Sequence, residues 1–511
     1  MNLDLSVPAQ LSYALLPDLL LMGGALLLLL WAAWRPESAR HQRSVGVACI
    51  ALLVLTAAAI VWFMVRGVAA GFGPVAVDRF RWVVDLVLIV GTIGTIMLSM
   101  DYNEREGITA PEAHVLILLA TAGMMLLAAA RDLMVVFLGI ETMSVAVYVL
   151  AGMNRRSIRA AEGALKYFLL GAFSTAFLLY GMALVYGATG DTHIATIGQR
   201  VVQYALLGSP LLVIGIALML VGFGFKVAAV PFHMWAPDVY EGAPTPVTAY
   251  MAAAVKAAAF AAFLRVWYEA FPALFERWHT AFWWLAAITM IVGNVIALRQ
   301  RNLKRLLAYS SIAHAGYLLV PLTVNTPGAS EAFLFYALIY TIATFGAFAV
   351  VVALGDVGER SLRLDDYAGL WTLRPWLAVA MAIFMLALLG FPLFGGAGFF
   401  AKWYIIKAAL DSPSPHTKLA VILVITSVIS AGYYLEVVRV MFMRPRVAEE
   451  RVPAPSRGLT KAVIAVSAVA LIGFGIFPEQ LVRLTRGGAP VSGLTLPTAQ
   501  SAVPLPGAPA R

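Results

Sequence analysis

Long apolar runs separated by short polar stretches recur along almost the whole chain. Many exceed the ~20 residues that an α-helix needs to cross the hydrocarbon core of a bilayer. A membrane β-barrel would need segments of about ten residues alternating in polarity, and that pattern is absent. A helix satisfies its own backbone hydrogen bonds in lipid. The pattern therefore predicts an all-α polytopic membrane protein of about 14 spans. They fall near 12–34, 44–66, 82–100, 112–130, 132–152, 161–187 and 209–240, then 245–268, 281–299, 303–322, 331–354, 373–408, 418–442 and 460–480.

Two spans are interrupted. The one at 209–240 meets Pro231 and Pro237, and the one at 373–408 contains GFPLFGGAGFF (390–400). Proline removes a donor from the helix ladder and glycine weakens a helix interior. Each span is predicted to be two half-helices with a break inside the membrane, the feature that points to a transporter's ion site. The interruptions belong to a repeat with an offset of about 170 residues. Arg131-Asp132-Leu133 matches Arg301-Asn302-Leu303, and Glu162, Leu165 and Tyr167 match Glu331, Leu334 and Tyr336. An odd number of helices per unit inverts the second against the first. The expected organisation is an N-terminal three-helix segment (1–105), two inverted five-helix repeats (110–270 and 278–444) each with a discontinuous helix, a C-terminal helix (445–485) and a disordered Pro/Ala/Gly-rich tail (486–511).

Composition agrees: 61% of residues are hydrophobic and 12% charged, with a mean hydropathy of +0.86, against about 25% charged in a soluble domain. A net charge of +9 would suggest nucleic acid in a soluble protein. Here no nucleic-acid partner is expected, because the basic residues gather in alternate loops, among them Arg155, Arg156 and Arg159, then Arg299, Arg301, Lys304 and Arg305, then Arg444, Arg446 and Arg451. The positive-inside rule puts these loops on the cytoplasmic side and, with an even number of spans, both termini outside. The one cysteine, Cys49, lies in an apolar run, which excludes an internal disulfide and a cysteine-built iron–sulfur or zinc site. The start, MNLDLSVPAQ, lacks the basic residues and cleavage site of a signal peptide, so the first apolar segment is expected to remain a helix.

The informative residues are charges far from any span end. Glu141 falls near the middle of 132–152 and Lys256 near the middle of 245–268; Lys226 precedes the first break and Lys402 follows the second. A charge at a helix centre costs ~2.5–3.5 kcal/mol on insertion scales, so these four must face the bundle interior, a partner or water. Glu141 and Lys226 could simply pin two helices together. Three lysines against one central carboxylate cannot all be neutralised in that way. A lysine can exchange a proton where an arginine cannot, and no arginine occupies these central positions. Lys166 either assists or reaches back to the inner surface along its stem. His233 could relay a proton or cap a helix. Tyr309 and His314, in AYSSIAHAGY, could relay protons or only hydrogen-bond between helices. Glu436, three residues before Arg439, reads as a local ion pair.

Four segments, in order, resemble the antiporter-like subunits of respiratory complex I, a family shared with multisubunit cation/proton antiporters. They are DLMVVFLGIETMS (132–144), GFGFKVAAVPFHMWAPDVYEGAPTPV (222–247), RNLKRLLAYSSIAHAGY (301–317) and GFPLFGGAGFFAKWY (390–404). The HMWAPDVYEGAP wording, lysine rather than glutamate at 402 and the absence of a long lateral C-terminal helix associate the chain with one branch of that family. The resemblance implies a non-redox, proton-pumping subunit of a translocase in the bacterial inner membrane. Glu141 and Lys226 would be the coupling pair, Lys256 the central carrier and Lys402 the exit group, with Lys166, His233 and Tyr309 assisting. It implies no cofactor in this subunit, with NADH, flavin, iron–sulfur clusters and quinone in others. The implied partners are membrane lipid and other membrane-arm subunits, including a second antiporter-like subunit and small membrane subunits. A monovalent cation/proton antiporter subunit and a non-pumping assembly scaffold are the competing readings.

Overall fold

The computed structural model describes residues 11–67, 73–324, 326–359, 362–392, 396–412, 414–446 and 458–490. The tail expected to be disordered lies outside them from residue 491 onward, as do Arg451 and Gly395. Among the described residues the regular elements are helices, and strand-like pairing is limited to isolated bridges. Among the described residues thirteen helices are long and apolar enough to cross a membrane. A shorter apolar helix, Pro375–Leu389, adds to them, and this is a multi-pass membrane protein.

The first three helices are α1 (Leu16–Trp34), α2 (Ala39–Arg66) and α3 (Arg79–Glu106). Their boundaries follow from capping: Ser38 and Asp78 accept from the backbone N–H groups of His41 and Arg81, while Gly67 and Gly107 close the far ends in the left-handed region. The first repeat comprises α4 (Glu112–Ala129), α5 (Leu133–Ala151), α6 (Ile158–Thr189), a short α7 (Ile194–Gln203), α8 (Pro210–Val227), a short α9 (Ala236–Gly242) and α10 (Thr245–Ala270). The second comprises α11 (Phe275–Ala297), α12 (Leu303–Val324), α13 (Pro327–Leu354), the half-helices α14 (Pro375–Leu389) and α15 (Ala397–Leu410), and α16 (Thr417–Met443). α17 (Gly458–Ile476) and a short α18 (Pro478–Thr485) follow.

Backbone pairing makes the repeat concrete. Leu133 donates to the Thr192 carbonyl and Ile194 to that of Arg131, both at 2.9 Å; Leu303 donates to Leu362 and Leu364 to Arg301, both at 2.8 Å. The second set lies 170 residues after the first, as do the bridges Asp132–His193 and Asn302–Arg363. Five spans (α5, α6, α8, α10 and α11) separate the two sets. The same contact is thus made on opposite sides of the membrane, which is the inversion that an odd repeat demands.

Packing sorts the helices into centre and rim. α10 and α13 are buried along their whole crossing and α12 nearly so, whereas α1, α2, α6, α16 and α17 turn apolar faces outward. The alanine-rich face of α10 (MAAAVKAAAFAAF, 251–263) suits its central place, because small side chains let backbones approach. The α6–α8 contact uses glycine in the same way: a Cβ on Gly181 would come within 2.7 Å of the Gly215 carbonyl oxygen.

Both expected breaks are present. α8 stops at Val227, earlier than Pro231 itself, and the chain passes through Ala228 at φ +57° before the cis Val230–Pro231 bond. Pro231 has no N–H for the Val227 carbonyl, and the residue before a proline is pushed away from helical angles; the carbonyls freed at the end of α8 are taken up by Ala228 and Ala229 N–H and by Trp235 Nε1. α14 stops at Leu389 with Gly390 at φ +80°.

Candidate functional site

Lys226, Lys256 and Lys402 are 3%, 1% and 6% exposed. Each ammonium is held by neutral oxygens. Lys226, on the last turn of α8, donates to Ser144 Oγ (2.7 Å) and Tyr148 Oη (3.3 Å) of α5, with the Tyr148 ring centroid 5.4 Å away. Lys256 follows a single π-helical turn, Met251–Val255, and donates to the carbonyl oxygen (2.9 Å) and Oγ (2.5 Å) of Ser311 on α12. Isolated π turns inside helices recur at functional sites. Lys402, early in α15, donates to the Leu389 carbonyl (2.8 Å) and to Ser427 Oγ of α16 (3.0 Å). Leu389 ends α14, so its carbonyl has no acceptor role in the helix ladder and carries the negative end of the helix dipole. The break itself makes the acceptor. Gly390 lets the lysine stem pass, since a Cβ there would come within 2.9 Å of Lys402 Cδ.

On α12, His314 falls between Ser311, which holds Lys256, and Tyr317, whose ring packs against Lys402. It lies one turn beyond Ser311 on α12, with Tyr317 a further turn on. Its Nδ1 is 2.6 Å from Tyr336 Oη and its Nε2 3.0 Å from Tyr434 Oη, which also bonds Ser310 Oγ. Tyr340 stacks on the imidazole at 4.8 Å between centroids. Tyr317, whose ring centroid is 4.8 Å from Lys402 Nζ, accepts from Asn294, which accepts in turn from Tyr433. One face of α12 therefore runs from Lys256 to Lys402.

The remaining candidates stand differently. Glu141 shares a face of α5 with Ser144 and Tyr148, but among the described residues no ion pair joins it to Lys226, and its Oε1 has no hydrogen-bond partner. It is half-buried, on a stripe whose other members, Met134, Leu138, Val145 and Val149, are exposed. His233 lies in the break after α8, half-buried, with Nδ1 unpartnered. Lys166 is not in the interior: its side chain is 43% exposed and bridges Glu162 (2.7 Å) and Asp238 (3.1 Å). Tyr309 is partly buried against the apolar core, on a different side of α12 from His314. The Glu436–Arg439 pair expected from the sequence forms at 2.6 Å.

Sequence reasoning missed the lysines' partners and a set of buried charges at the other end of α10. Arg81, wholly buried, bonds Asp18 and, at 3.3 Å, Asp85. Arg265, also wholly buried, bonds Asp78 (2.7 Å) and Glu269 (3.0 Å), and Arg131 lies 3.4 Å from Glu269. Helical spacing could have found Arg81/Asp85 and Arg265/Glu269, both four residues apart. These charges are paired, and the three lysines are not. Among the described residues no group of three or more His, Cys, Asp or Glu is placed to hold a metal ion.

A membrane bundle with two inverted units, a discontinuous helix in each and an unpaired lysine at each break defines an antiporter-type class. Residues 130–430 match the family model described as NADH:quinone oxidoreductase/Mrp antiporter, TM, and the chain belongs to that family. That range holds all eight candidate residues. NADH-quinone oxidoreductase subunit N of Gemmatimonas aurantiaca is 52% identical over 96% of this chain and 95% of its own length. The protein of the same name from Trichlorobacter lovleyi is 47% identical over 81% of this chain and 84% of its own. Among solved structures, a chain of respiratory complex I from Thermus thermophilus with bound aureothin superposes with a TM-score of 0.74 at 35% identity, covering 93% of this chain and 100% of that one.

Proposed function

We propose that this chain is a membrane-arm subunit of an NADH–quinone oxidoreductase that carries protons across a bacterial inner membrane while redox chemistry proceeds in other subunits. The subunit N relatives support this assignment over a cation antiporter or a scaffold. The observation that carries the mechanism is the contrast in pairing. Buried arginines and Lys304 have carboxylate partners, while Lys226, Lys256 and Lys402 rest on hydroxyl and carbonyl oxygens. A hydroxyl can accept from an ammonium and donate to a neutral amine, so such a site accommodates both states.

The relay runs from Glu141 and Lys226 through Lys256 and His314 to Lys402, with Lys166, His233 and Tyr309 as further candidates. Lys226 is turned towards Ser144 and Tyr148, the separated arrangement of the coupling pair. Closing the pair fixes the ammonium, and its charge then disfavours a second one on Lys256. An opposite charge at ~4 Å and an effective dielectric of ~20 is worth about 4 kcal/mol, which sets the scale of what closing the Glu141–Lys226 pair contributes to holding the ammonium. Glu141 stands on an outward stripe, where a neighbouring membrane subunit would cover it and could drive the switch. We place the termini on the periplasmic side and the lipid-facing rim at α1, α2, α6, α16 and α17. The test is Lys256→Ala in the assembled complex: proton translocation per electron is expected to fall, and an unchanged ratio removes Lys256 from the path.

A further inference from the structure

Glu359 lies outside the relay, in the loop after α13, at the end of the bundle where α10 and α12 both begin. Its carboxylate accepts from the backbone N–H (3.0 Å) and Oγ1 (2.5 Å) of Thr245, the first residue of α10. It also accepts from Lys304 Nζ (2.8 Å), on the first turn of α12. Lys304 is wholly buried and donates as well to the Ala243 carbonyl (2.6 Å). About three turns along α10 stands Lys256, and about two along α12 stands Ser311. The two helices leave one carboxylate and meet again where Lys256 bonds Ser311.

The site is held firmly. Glu359 adopts φ +50°, a strained angle for a residue with a side chain. From α3, Arg105 donates to the Val352 (2.6 Å) and Gly355 (2.8 Å) carbonyls, and Glu106 accepts from Gly358 N–H (2.8 Å). Tyr102 and Tyr367 stand close to the carboxylate. Burial pushes the Glu359 carboxyl up, but the attraction of Lys304 and the hydrogen bonds from Lys304 and Thr245 together outweigh it and hold the group below the ordinary carboxylate range. The repeat does not require this arrangement, because the positions 170 residues earlier hold Met134 and Thr189 in place of Lys304 and Glu359.

We propose that Glu359 is a positioning residue for the relay, fixing the register of α10 against α12 and hence the contact between Lys256 and Ser311. This rests on the relay reading above. The test uses the complex assembled with its partner subunits, comparing Glu359→Ala, Glu359→Asp and Lys304→Met beside Lys256→Ala. Two quantities are read: the amount of subunit assembled, and proton-coupled turnover per assembled complex as a function of pH. Glu359→Ala and Lys304→Met are expected to lower that turnover several-fold and to displace its pH profile, and Glu359→Asp to recover part of both. A residue that merely holds the subunit together would reduce the assembled amount and leave the profile of the remainder unchanged. That result overturns the proposal, as does a Glu359→Asp variant no better than Glu359→Ala. If Glu359→Ala blocks assembly, Glu359→Gln keeps an acceptor for Thr245 while removing the charge, and the same readouts decide. A silent Lys256→Ala strikes the relay itself; an impaired Lys256→Ala beside unaffected Glu359 variants removes this inference alone.

Discussion

An ammonium and a guanidinium make different demands on an apolar interior. Arginine keeps its charge and needs fixed acceptors, which Arg81 and Arg265 find in carboxylates. Lysine can shed its charge, and Lys402 is held by one carbonyl and one hydroxyl. Lys402→Arg preserves charge and approximate length but removes the ability to give up a proton. The variant is expected to assemble at wild-type levels while proton translocation, followed with a pH-sensitive dye in vesicles during NADH oxidation, falls on the order of 10²-fold, the contribution typical of a positioned proton-transfer group. Retained translocation would mean that charge alone suffices at 402. The four central charges were legible in the sequence because each interrupts an apolar run. Their acceptors were not. Leu389 and Ser311 contribute backbone carbonyls, which every residue has, and Ser427 lies on another helix whose rotation only packing sets.

At the scale of elements, spans and breaks were legible because length, hydropathy and the placement of proline and glycine are local properties. The end of α8 was not, since whether a helix stops at a proline or four residues before it depends on where the freed carbonyls find donors. Lys166 shows the same limit: its exposed side chain pairs with Asp238 on α9, a partner not visible in sequence. The second break yields a sharp expectation. Gly390 combines a left-handed backbone with close passage of the Lys402 stem. Gly390→Ala should cost about 1–2 kcal/mol in backbone strain and push Lys402 off the Leu389 carbonyl. The purified complex should then unfold at a lower temperature and translocate protons more slowly. Loss of stability without loss of translocation would mean that the Leu389 contact is dispensable.

At the scale of the whole molecule, α10 is tied at both ends by ion pairs. At one end Glu359 and Lys304 tie α10 to α12; at the other Asp78, Arg265, Glu269 and Arg131 tie α10 to the start of α3 and the head of α5. Arg265→Met leaves Asp78 and Glu269 buried without their guanidinium, and breaking such a pair costs about 3–5 kcal/mol. The expected result is loss of α1–α3 packing, read as protease cleavage between α2 and α3 in membranes. Asp78 adds a dependence on pH. Burial pushes its carboxyl up, but the charge and hydrogen bonds of Arg265, with the Arg81 backbone N–H and charge, together outweigh burial and hold it below the ordinary aspartate range. A depressed carboxyl stabilises the fold fully above its ordinary value of about 3.9 and loses that contribution as pH falls through the depressed one. The gap in unfolding temperature between wild type and Asp78→Asn should therefore stay constant near neutrality and close only in acid. A gap that closes near neutral pH instead would mean that the clamp titrates in the working range of the relay, and the outer end of α10 would then be a moving part rather than a fixed one.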